Sequence, residues 1–150
     1  ANDCFAYKGF QIIKIALPSN KEFFIVNTHM DAGRRDSDRS SRKKQLEHIV
    51  STISQKTSTE ALIVAGDLNL HSKNPDDVKL LKKFKKELKL TDAFIGNKIS
   101  EKWTILDYIL YRQSNEVEFK IISVGEDKSF INEEGPLSDH PALFIEVLIE

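Results

Sequence analysis

The sequence predicts an α/β fold with mainly antiparallel strands and two main helices packed on one face of the sheet. Three observations carry this. Ala61-Leu62-Ile63-Val64-Ala65-Gly66 is a short apolar run, partly β-branched and closed by glycine, which reads as a fully buried strand. Ahead of it, the stretch from Phe5 to Leu17 and the stretch from Glu22 to Thr28 flank the turn residues Pro18-Ser19-Asn20-Lys21, the pattern of a hairpin. Two further stretches, about Ser40 to Gln55 and Asn74 to Lys89, space their apolar residues as helices do.

Bulk properties narrow the class. With 150 residues the chain is long enough for one domain, 1–150, with a sizeable core. A net charge of -1 gives no global basic signature of nucleic-acid binding. Cys4 is the single cysteine, which excludes an internal disulfide. No apolar stretch approaches the ~20 residues that span a bilayer. The first residues lack the basic start and apolar region of a signal peptide, so none is expected and the compartment is left open.

Taken in order, the second strand ends in Asn27-Thr28-His29, polar residues after an apolar run. The segment from Met30 to Ser41 reads as a loop made basic by Arg34, Arg35 and Arg39. The first helix follows with Leu46, Ile49, Val50 and Ile53 as its apolar stripe. Arg42, Lys43 and Lys44 lie near its start, where the helix dipole disfavours cations. They form either a solvated face or a basic lip for an anionic substrate. The central strand Ala61–Gly66 runs into Asp67-Leu68-Asn69. Asn74-Pro75-Asp76-Asp77 then starts the second helix with a cap, a proline and first-turn acids. Its buried stripe is expected to be Val78, Leu81, Phe84 and Leu88, with six lysines on a solvated face. Gly96-Asn97 marks a turn. Thr104–Tyr111 reads as a strand with one carboxylate, Asp107, inside it, which needs a partner such as a histidine. A strand from Val117 to Val124, an acidic irregular loop from Gly125 to Leu137, and a last strand Ala142–Ile149 complete the chain. Ser138-Asp139-His140-Pro141 leads into that last strand.

The chemistry-bearing residues are therefore His29, Asp67, Asn69, Asp107, Asp139 and His140, at strand ends or inside strands. Asp67 and Asn69, two apart on extended backbone, point to one side and suit a cation, a water or a phosphate oxygen; Gly, Asp and Asn also make turns. Two histidines with three acids suit acid–base work. The carboxylates are oxygen ligands of the kind hard cations prefer. The chain has no HExxH motif or cysteine pair for zinc, no GxSxG elbow and no glycine-rich phosphate loop. His48 reads as a surface residue, His71 as a candidate for lining a cleft, and Trp103 as packing.

Asn27-Thr28-His29, Gly66-Asp67-Leu68-Asn69, Leu106-Asp107-Tyr108-Ile109 and Ser138-Asp139-His140-Pro141-Ala142 occur in an order that resembles the endonuclease/exonuclease/phosphatase superfamily, the deoxyribonuclease-I-like fold. Lys8-Gly9-Phe10, the run on from His29 to Gly33, Arg42 and Gln45 look most like its bacterial sphingomyelinase-like and nuclease-like branches. The resemblance covers nearly the whole chain but only the second half of the family's helix–sheet–sheet–helix sandwich. It implies a phosphodiester hydrolase using Mg²⁺, with Mn²⁺ an alternative. The metal ligands would be Asp67 and Asp139. Asp67 and Asn69 would position water or phosphate. His140, oriented by Asp139, would act as base or phosphate donor, and His29, paired with Asp107, would act on the leaving-group side. Asn27, Arg34 and Arg42 are the candidate substrate-binding residues. The family's first half supplies an Asn and a metal-binding Glu in a Gln-Glu motif, which is not found before Asn27. The expected partners are thus a phosphodiester, either nucleic acid or a phospholipid headgroup, and a first half carried on another chain or segment. The competing expectation is a catalytically inactive fragment or binding module that keeps the motifs without the complete site.

Overall fold

A tight turn sets the first register. Leu17 N–H donates to the Lys21 carbonyl (2.8 Å) and Asn20 sits at φ 60, so β1 (Phe10–Ala16) and β2 (Glu22–His29) pair antiparallel with Phe10 opposite Thr28. The computed structural model describes residues 7–57, 59–94 and 106–150. Among these residues the order continues as α1 (Asp36–Lys56), β3 (Ala61–Asp67), α2 (Pro75–Leu88), β4 (Thr91–Asp92), β5 (Asp107–Arg112), β6 (Phe119–Asp127), β7 (Ile131–Asn132), β8 (Gly135–Pro136) and β9 (Ala142–Ile149). Cys4, the beginning of the Phe5–Leu17 stretch, the Gly96-Asn97 turn, Trp103 and the Thr104 end of the fifth expected strand lie outside the described residues.

Among the described residues one sheet has the order β1-β2-β3-β5-β4. Parallel strands cannot be joined by a tight turn, and α1 supplies the crossover between β2 and β3. The other pairings in this sheet are antiparallel. β3 shows why its sequence is apolar throughout. Leu62 and Val64 pack with Leu46, Ile49 and Ile53 of α1 and Phe84 and Leu88 of α2. Ala61 and Ile63 pack on the opposite face with Phe23, Ile109, Val117 and Phe119. That second core is closed by the antiparallel pair β6-β9 through Val124, Leu143, Ile145 and Val147. The layers are therefore helices, sheet, second sheet.

Several boundaries differ from expectation for identifiable reasons. α1 begins at Asp36, a turn before Ser40, because Asp36 and Asp38 suit a helix N-terminus and Asp38 accepts the Arg35 N–H at 2.9 Å. Asn74 caps α2 as expected, accepting from the N–H groups of Asp76 and Asp77. The buried face of α2 is turned, however: Val78 is exposed and Asp77 is buried in its place. Asp107 opens β5 rather than lying inside it. β6 extends to Asp127, and the following loop contains the small hairpin β7-β8.

Candidate active site

Register assembles the site. His29 at the end of β2 lies beside Asp67 at the end of β3, and Asp67 lies opposite Asp107 at the start of β5. Asp67 follows Ala65 by two residues and Asp107 precedes Ile109 by two, and Ala65 and Ile109 face the second core, so the alternation of a strand aims both carboxylates away from the helices. His140, just before β9, meets this row from the second sheet.

The distances define two imidazole–carboxylate pairs. His140 Nδ1 lies 2.6 Å from Asp107 Oδ2, and 3.9 Å from Asp67 Oδ2. His29 Nε2 lies 3.5 Å from Asp67 Oδ2. This corrects both expected pairings: His140 is oriented by Asp107 and not by Asp139, which is exposed, and the carboxylate beside His29 is Asp67. The sequence order of the motifs carries no information on which acid of one strand reaches which histidine of another; the strand register does.

The same residues set the electrostatics. The hydrogen bond to Asp107 raises the His140 pKa above its ordinary 6.5, with the charges of Asp107 and Asp67 acting in the same direction against partial burial. Burial raises the Asp67 pKa above 3.8; the Asn69 N–H opposes this, and the neighbouring Asp107 charge reinforces it. Among the described residues Asp67, Asp107 and His140 bring ligand atoms within 4.8 Å of one another. Two carboxylates crowded in a half-buried place, one of them made hard to ionise, are a donor set that fits a divalent cation. Asp139, an expected ligand, is not in this group.

Two expected site residues are spent on structure. Asn69 is 5% exposed and its Nδ2 donates to the Met30 carbonyl at 2.9 Å, while its N–H donates to Asp67 Oδ1 at 2.8 Å. It ties the loop after β3 to the loop after β2 and orients Asp67, so the turn and the site are one feature. Its φ of 51 is a left-handed conformation that asparagine tolerates. Arg42 is completely buried, so it is not a substrate-binding residue as expected. Its Nη1 donates to the carbonyls of Asp31 and Gly33, both at 3.0 Å, and its Nη2 faces buried Asp77 at 3.6 Å. Gln45 accepts the Asp31 N–H at 3.1 Å. Asn27 and Arg34 are exposed, Asn27 on the same side of β2 as His29. His71 is half-buried, its N–H donating to Asp77. Sequence reading missed Tyr108, buried enough that its pKa is pushed up to about 12, which donates to the Leu70 carbonyl at 2.7 Å and fixes the loop beyond Asn69. Its position directly after Asp107 was the available signal.

The family model for Endonuclease/Exonuclease/phosphatase family 2 matches residues 1–93. The chain belongs to this family. No curated protein matches it by sequence. Among solved structures it is similar to the human Nocturnin catalytic domain, with 23% identity, TM-score 0.67, and coverage of 95% of this chain and 53% of that one. A Bacteroides vulgatus endonuclease/exonuclease/phosphatase matches at 20% identity and TM-score 0.66, covering 94% and 55%. A Staphylococcus aureus beta toxin mutant with bound magnesium ions matches at 20% identity and TM-score 0.54, covering 93% and 54%. These likenesses establish the deoxyribonuclease-I-like α/β fold for the chain. The family chain described here spans about half the length of the structures it matches.

Proposed function

We propose that this family member contributes the acid–base half of a Mg²⁺-dependent phosphodiester hydrolase. The carrying observation is the convergence of His29, Asp67, Asp107 and His140 from four separate segments at one sheet end. Asp67 and Asp107 would hold the cation, and a bound Mg²⁺ would neutralise charge on the phosphate in the transition state. With Nδ1 engaged by Asp107, His140 presents Nε2 outward, so its neutral form accepts a proton from the attacking water. His29, on the other side of Asp67, donates to the leaving oxygen. Asn69 keeps the Asp67 carboxylate in place throughout. Nucleic acid and phospholipid headgroups both supply the required diester.

The protein expressed from its own full gene is expected to hydrolyse bis(p-nitrophenyl) phosphate with Mg²⁺, and to stop in EDTA. Asp67→Ala and His140→Ala are each expected to lower kcat by about 100-fold or more. Folded protein without EDTA-sensitive turnover would support the alternative, a binding module that keeps the motifs without the complete site, for which the motivation is that the chain spans about half the length of the structures it matches.

A further inference from the structure

A pocket of about 500 Å³ opens beside His29 on the helix side of the sheet, away from the acidic row. Lys8 and Thr28 contribute from the β1–β2 side, and Lys44, Gln45 and His48 from α1. Phe10 forms its apolar wall, with its ring 5.5 Å from that of His48. Two lysines and two histidines line it, and no carboxylate does. The site thus has two electrostatic halves sharing His29: a carboxylate half suited to a cation, and a basic half suited to an anion.

We propose that the basic half is a second phosphate subsite, holding the phosphate next along the substrate from the one that reacts, with its sugar or base against Phe10. The inference rests on the phosphodiester reading above and deepens it. An anionic phosphate between Lys8, Lys44 and His48 gains charge-assisted hydrogen bonds, and an aromatic wall accepts the face of a base. A phospholipid headgroup ending in a quaternary ammonium would bring a cation against two lysines, which is repulsive. The pocket therefore selects nucleotide chemistry, either a strand or a free polyphosphate.

The test is binding without turnover. Protein from its full gene, held in EDTA, is titrated with ADP, with the dinucleotide pTpT and with glycerophosphocholine while the His48 and Phe10 ring resonances are followed by NMR. Movement of both rings by ADP or pTpT, weakened roughly tenfold or more by Lys8→Ala/Lys44→Ala and by added salt, supports the subsite. A response to pTpT alone identifies a strand, and a response to ADP alone a polyphosphate. Silent rings with every probe, an equal response to glycerophosphocholine, or binding unchanged in the double variant and in Lys44→Glu overturns it. Because metal and hydrolysis are absent from this experiment, loss of EDTA-sensitive turnover elsewhere overturns the phosphodiester reading and leaves this result standing on its own.

Discussion

Asp107 acts on His140 through a 2.6 Å hydrogen bond, and that bond has a pH signature. The His140 pKa is raised in the folded protein, chiefly by Asp107. A group whose folded pKa exceeds its unfolded value stabilises the fold fully below the unfolded pKa, here near 6.5, and loses that contribution as pH rises through the folded value. In metal-free protein the His140 imidazole is therefore expected to titrate above 6.5, and Asp107→Asn to bring its midpoint down; an unchanged midpoint by NMR would remove Asp107 as the cause. Gly66 makes a steric demand at the same sheet end. At φ 137 it takes a conformation that L side chains rarely adopt, and a Cβ there would lie 1.9 Å from the Thr28 carbonyl oxygen of the neighbouring strand. Gly66→Ala is expected to cost several kcal/mol or to prevent folding, visible as a lost or sharply lowered thermal transition. The motif Gly66-Asp67-Leu68-Asn69 was legible in sequence as a site at a strand end. That Asn69 turns inward to Met30 was not, because its partner lies on another strand's exit loop.

At the level of elements, two buried arginines fasten the helical layer at opposite ends. Arg42 of α1 joins the loop after β2 to Asp77 of α2. Arg112 of β5 donates to the carbonyls of Leu88 and Thr57, where α2 and α1 end and cations are favoured. Both ions of the Arg42–Asp77 pair are inaccessible to water, so removing one strands the other. Arg42→Ala is expected to cost about 3–5 kcal/mol, whereas an apolar replacement of both partners should recover much of it; denaturant unfolding distinguishes these. An equal loss in single and double variants would mean that packing, not charge, is at stake. This pair also explains what sequence could not show. Periodicity marked both helices and the cap of α2, yet assigned Val78 inward and Arg42 outward, because charged residues are scored as exposed unless their partner on another helix is known.

Taken whole, the molecule leaves apolar surface uncovered. Ile13 of β1 and Ile122, Phe144 and Leu148 of β6 and β9 are all exposed. Since the chain spans about half the length of its structural neighbours, we propose that a further segment or chain covers these faces, as the motif resemblance implied. The isolated chain is expected to associate or to bind an apolar dye; a clean monomer on size exclusion with no dye signal would count against that covering. Alternation and caps made the elements of this architecture readable. The order of its sheets was not readable locally, since it depends on β3 meeting β2 and β5 at once.

The row His29, Asp67, Asp107 also has a temporal consequence. Its members come from three strands, and the β2–β3 and β3–β5 pairings each close a long stretch of chain. Such pairings are slow to form because loop entropy is lost before any contact repays it. Helix signal is therefore expected to return early in refolding, while the shifted titration of His140 returns with the last phase, so that the reactive constellation serves as a clock for completed register.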